Sequence, residues 1–138
     1  VYTFTSGAGE KRFQLIAEWR DEDGRLLASS GSAGYLQTYW SMTGGGTAYD
    51  RDKKKTTDHL DAFGCALNRM VTSVVGTTTT GRTAKAEVFD GFWAICIVPC
   101  ERGENWVSLT ATRADGSVAH RYQTVTPFQR SPSKRYGL

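Results

Sequence analysis

The sequence predicts a mainly β or α+β domain. The expected architecture is an antiparallel sheet folded as a sandwich or partial barrel, with one packed α-helix over about residues 58–75. Three observations predict it. Two segments place an Asp-Gly dipeptide, Asp23-Gly24 and Asp115-Gly116, between alternating apolar and polar runs. Asp tolerates, and Gly freely adopts, the positive φ that a two-residue hairpin loop requires. One stretch, Leu60 to Val74, instead carries its apolar residues at three- and four-residue spacing. Finally, 15 glycines and a hydrophobic share of 39% against 22% charged residues suit a turn-rich globule. The 138-residue length suits a single globular domain, 1–128, followed by a basic C-terminal tail, 129–138.

The elements follow in chain order. Val1-Tyr-Thr-Phe-Thr reads as a strand rather than a signal peptide, which fits a mature form or a trimmed chain. Around Asp23-Gly24 the alternation puts Phe13, Leu15, Ala17 and Trp19 on one face with Leu26 and Ala28. Gln14, Glu18 and Arg20 take the other face, Ile16 is the exception, and Glu22 faces Arg25 as an opposite-charge pair. Residues 35–42 alternate as a further strand. Leu36, Trp40 and Met42 lie on one side, Tyr35, Gln37 and Tyr39 on the other, and Gly44-Gly45-Gly46 breaks it. Residues 47–57 read as polar loop.

The helix starts at Asp58 as N-cap and stops at Gly76, with Leu60, Phe63, Leu67, Met70, Val71 and Val74 as its stripe. Residues 84–99 form one long strand or two short ones, broken at Asp90-Gly91. Phe92–Val98 reads as a strand buried on both faces and ended by Pro99. The last hairpin places Val107, Leu109 and Ala111 on a face with Val118, His120 and Tyr122, and Trp106, Ser108 and Thr110 on the other. Trp19, Trp40, Phe63, Leu67 and Leu109 are expected to share one core.

The chain has three cysteines. On the helical wheel Cys65 lies opposite the apolar stripe, so a partner crossing over it is expected, and Cys100 is the best placed. A Cys65–Cys100 disulfide implies a secreted or extracytoplasmic protein. His59, Cys65, Cys96 and Cys100 do not have the spacing of a zinc site, and neither a metal nor another cofactor is expected.

No serine elbow, phosphate-cradling glycine loop or paired-carboxylate signature is present. The histidines His59 and His120, with Arg121 to hold phosphate and Glu87 or Glu101 as base, are available parts for phosphodiester chemistry. Tyr35 and Tyr39 flanking Gln37 offer stacking surface and hydrogen bonding for a partner. A net charge of +3 does not by itself argue for nucleic acid, although Arg130, Lys134 and Arg135 concentrate positive charge near the C-terminus. No apolar run approaches the roughly 18 residues of a membrane span.

These features favour a secreted, non-enzymatic binding module, toxin-like or effector-like and thus linked to virulence, that recognises a protein or glycan surface. One alternative is a small secreted ribonuclease or related phosphodiester enzyme using His59 or His120. Another is a nucleic-acid-binding or coat-type structural protein using the basic C-terminal stretch.

Overall fold

The computed structural model describes residues 2–9, 12–36 and 38–123. Within them the chain is all β, with ten strands. These are β1 (Tyr2–Gly9), β2 (Arg12–Arg20), β3 (Leu26–Tyr35), β4 (Tyr39–Asp50), β5 (Lys55–Ala66), β6 (Val71–Thr78), β7 (Thr83–Glu87), β8 (Phe92–Ile97), β9 (Trp106–Arg113) and β10 (Val118–Gln123). Every pairing is antiparallel. The strands form three sheets, ordered β1-β2-β3, β4-β5-β8 and β10-β9-β6-β7. None of them closes into a barrel. Among the described residues no helix is long and apolar enough to cross a membrane.

The β4-β5-β8 sheet is the middle layer. On one face Leu60, Ala62, Ala66, Trp93, Ile95 and Ile97 meet Val71, Val74, Leu109, Ala111 and Tyr122 of the four-stranded sheet. On the other face Phe63, Cys65 and Phe92 meet Phe13, Leu15 and Ala17 of β2. The expected single core is therefore two cores. Phe63 and Trp40 belong to one, Leu109 to the other, and Leu67 lies in a turn with 37% of its surface exposed.

The helix expected over 58–75 is not formed. That stretch is the end of β5, a turn and most of β6. The reason is double burial. His59 to Ala66 are buried without interruption, because β5 has a layer on each side. A strand buried on both faces loses its polar alternation, so chance three- and four-residue spacings dominate the pattern. Gly44-Gly45-Gly46 likewise does not break a strand. β4 runs through it and pairs with β5 from Tyr39↔Ala66 to Asp50↔Lys55. Residues 47–57, expected as loop, supply the ends of β4 and β5 and the turn between them.

The first hairpin holds its expected strand register, with Trp19 opposite Ala28. Phe13, Leu15, Ala17 and Trp19 are all buried, while Ile16 faces outward. The turn differs. Asp21 N–H donates to Arg25 O, and Gly24 N–H donates to Asp21 O, which leaves a three-residue loop with only Gly24 at positive φ. The second hairpin repeats this device, with Arg113 N–H donating to Ser117 O and Gly116 N–H to Arg113 O. Both are three-residue loops ending in a glycine bulge. Arg25 consequently pairs with Asp21 and Asp52 in place of Glu22. The two-residue turn is instead at Asp90-Gly91, where φ is 52° and 82° and Phe89 bridges Phe92.

In β9 a register shift leaves Val107 between Ser108, opposite Thr77, and Trp106, opposite Thr78. That extra residue turns Trp106 inward and Val107 outward, the reverse of uninterrupted alternation.

The three thiols are free, so the expected Cys65–Cys100 bridge is not formed. Cys65 is wholly buried against the β2 layer. Cys100 N–H donates to Asp58 O, seven residues along β5 from Cys65, or roughly 23 Å of strand.

Candidate functional site

The alternating course of the chain gathers the turns after β1, β3, β5, β7 and β9 at one end, and the remaining turns at the other.

His59 and Asp61 lie on the face of β5 that looks toward β2. His59 Nε2 is 3.6 Å from Asp61 Oδ2, and both side chains are more than nine-tenths buried. Trp19 covers the imidazole with ring centroids 4.7 Å apart. The glycine triplet makes room for the pair. Gly44 and Gly46 stand opposite Asp61 and His59, and a Cβ on Gly44 would come within 2.5 Å of Asp61 Oδ1. Cys96 pairs with Asp61 from the other side. Burial, with Asp61 nearby, pushes the Cys96 thiol up to about 12, so it is not a nucleophile at neutral pH. The His–Asp separation exceeds a hydrogen bond, and no described residue bonds His59 Nδ1. Among the described residues no hydrogen bond to the imidazole selects its tautomer.

His120 is elsewhere. Its ring stacks on Tyr39 at 4.2 Å and meets Tyr122 edge-on at 4.8 Å. Tyr39 pairs with Ala66, seven residues along β5 from His59, so roughly 23 Å of strand separates the two histidines, and they do not converge. Tyr122 hydroxyl donates to Cys65 O at 2.6 Å, and burial raises its pKa further above the range in which it would ionise. Asn68 Nδ2 donates to Tyr39 Oη. The group reads as packing that joins β10 to β4 and β5. Arg121 is exposed on β10. Glu87 pairs with Lys85, and Glu101 lies at the opposite end from His120.

The other end holds a buried carboxylate. Glu104 accepts from Thr78 Oγ1 at 2.7 Å, from Thr80 Oγ1, from Arg82 Nε at 2.9 Å and from Glu101 N–H at 2.8 Å, and it pairs with Arg82 Nη2. Arg82, with the two hydroxyls and the amide, holds this carboxyl well below the usual range. The network ties the β6–β7 turn to the β8–β9 loop. Every acceptor direction is used within the protein, which is the signature of a structural clamp.

The five-turn end carries the three most exposed large apolar side chains among the described residues. Phe89 is 75% exposed, Met70 64% and Tyr35 66%. The backbone beneath them is stitched across turns. Leu67 N–H donates to Thr38 O, Ala66 N–H to Gly91 O, and Val88 N–H to Thr72 O. Asn68 closes the β5–β6 turn by accepting from Val71 N–H through its carbonyl and from Met70 N–H through Oδ1. Leu67 lies across Gly91, where a Cβ would meet its Cδ2 at 2.7 Å. Phe89 and Met70 thus project from short turns whose backbone is already committed. Arg12 lies over the Tyr35 ring at 5.4 Å.

Of the expected binding residues, Tyr35 ends β3 and Tyr39 begins β4, so a chain reversal puts them in different sheets. Gln37 lies outside the described residues, as do Arg130, Lys134, Arg135 and the whole 129–138 tail. Sequence reasoning missed Phe89, Met70 and Glu104. Asp90-Gly91 marks the turn in the sequence, but no local pattern separates the exposed Phe89 from the buried Phe92 on its other side. Comparison with known protein families, with curated proteins and with solved structures finds no match to this chain.

Proposed function

We propose that this protein is a non-enzymatic binding module whose recognition surface is the five-turn end, centred on Phe89 and Met70, with a protein surface as its partner. The exposure of Phe89 at the tip of the Asp90-Gly91 turn carries the proposal. A phenylalanine three-quarters in water gains nothing for the fold, whereas a burying partner gains roughly 2–3 kcal/mol from it. Phenylalanine and methionine are enriched at protein interfaces relative to the rest of the surface. Because the backbone is tied across three turns before any partner arrives, little ordering entropy opposes docking. The apolar character of Phe89, Met70 and Leu67 favours a protein over a glycan, whose recognition relies on hydrogen-bonding side chains beside the stacking ring.

The test is site-specific photocrosslinking. A photoreactive phenylalanine is placed at Phe89, and in a second protein at Val107 on the outer face of β9, and each is irradiated in extract of the producing cells. A discrete protein adduct from position 89 and none from 107 is the expected result. Equal labelling from both positions, or none from 89, overturns the proposal.

A further inference from the structure

Exposed sheet edges invite pairing, and proteins protect them with short strands, charges, proline or bulges. Here β7 is five residues long and carries Lys85 and Glu87. β10 is six residues long, carries Arg121, and has a register shift between Val118 and His120. β4 lacks these protections along all but its last residue, Asp50. It is 12 residues long, holds its register with β5 throughout, and has no charged residue or proline from Tyr39 to Tyr49. It is an edge of the middle sheet, and among the described residues no strand pairs with its outer side. Met42 to Thr47 are exposed. Beside it runs β3, the edge of the next layer, also without a charged residue from Leu26 to Tyr35.

We infer that this flank is a self-association surface, on which β4 pairs antiparallel with β4 of a second copy of this chain about a two-fold axis at Gly45. The occupant follows from self-complementarity. Strands related by an axis perpendicular to the sheet keep their faces, so paired residue numbers must sum to an even value. Centring on Gly45 puts Gly44 opposite Gly46 of the partner copy, and Thr43 opposite Thr47. The middle of the seam is then free of side chains. It is flanked by threonine pairs, which stabilise antiparallel neighbours. Asp50 and the charged turn beyond it fall outside the central pairs, and the uncharged β3 edges bring no like charges together in the second layer. A strand of another protein would gain the same backbone bonds but has no reason to match this glycine-centred pattern.

Sedimentation across a dilution series tests the association, and designed cysteines test the register. Wild-type protein is expected to show a concentration-dependent monomer–dimer equilibrium. Thr43→Lys, with unchanged near-ultraviolet circular dichroism, is expected to be monomeric. On mild oxidation the double variant Thr43→Cys/Thr47→Cys should give a covalent dimer, because paired Cα atoms fall within disulfide range. Thr43→Cys alone should not, since residues 43 of the two copies are offset by four positions, or roughly 13 Å. The native thiols are identical in both variants and do not affect the comparison. A monomer at every concentration, a dimer that survives Thr43→Lys, or equal crosslinking by the single and double variants overturns the inference. If Thr43→Lys fails to fold, the cysteine comparison decides.

Discussion

Glu104 is a carboxylate the fold needs in its ionised form. Its folded pKa lies below the ordinary glutamate value of about 4.3. The unfolded chain takes up a proton first, so the contribution of Glu104 is complete above that ordinary value and is lost as pH falls through it toward the lower folded value. Melting temperature should therefore fall across this acidic window. Glu104→Gln should start lower at neutral pH and show a shallower acidic decline, and parallel slopes in calorimetry would remove Glu104 from the account. Glycine effects are equally local. A Cβ on Gly64 would sit 2.0 Å from Trp40 O, a backbone atom that cannot move aside without breaking the β4–β5 pairing. Gly64→Ala should cost about 3 kcal/mol, the upper end for overpacking. Gly7→Ala, where nothing lies within 4 Å, should stay within about 0.5 kcal/mol of wild type by denaturant titration.

Elements were readable from sequence where one face is wet and obscure where neither is. β2 alternates cleanly, and its buried set Phe13, Leu15, Ala17 and Trp19 follows from that pattern. β5 does not alternate, because Leu60, Ala62 and Ala66 serve one core while Phe63 and Cys65 serve the other. Polar residues also stand where alternation predicts none: His59 and Asp61 are buried over a glycine track on the neighbouring strand. No local pattern announces that arrangement, since it depends on β4 lying alongside. The candidate site was hidden for a related reason. Asp90-Gly91 identifies a turn, but the exposure of Phe89 depends on which neighbours the sheets bring. The strand reading of β5 makes a contrast that a helix would not. Phe63→Ala removes a fully buried ring and should cost about 3–5 kcal/mol. Leu67→Ala should cost less than about 1 kcal/mol, because its side chain is over a third exposed in a turn. Comparable losses at both positions in equilibrium unfolding would favour a helical stripe and contradict the layered arrangement.

Among the described residues the three most exposed large apolar side chains lie away from the two buried polar networks. Glu104 and Arg82 fasten one end, the His59–Asp61 pair lies inside between two layers, and Phe89, Met70 and Tyr35 face outward at the other end. On the proposed reading, binding and stability depend on different residues. Replacing Phe89 and Met70 together by Ala should weaken binding of the crosslinked partner by more than about 2 kcal/mol, roughly thirtyfold, because truncation of central anchors costs that much. The unfolding midpoint should barely change, since neither side chain supports the cores. His59→Ala should do the opposite. It leaves a void beneath Trp19 and lowers stability, while the folded protein retains full affinity. Calorimetric binding and thermal unfolding on the same two variants measure both quantities. If the histidine variant loses biological activity by orders of magnitude while staying folded, and the Phe89/Met70 variant loses none, the function lies with chemistry at the buried pair and not with recognition at the turns.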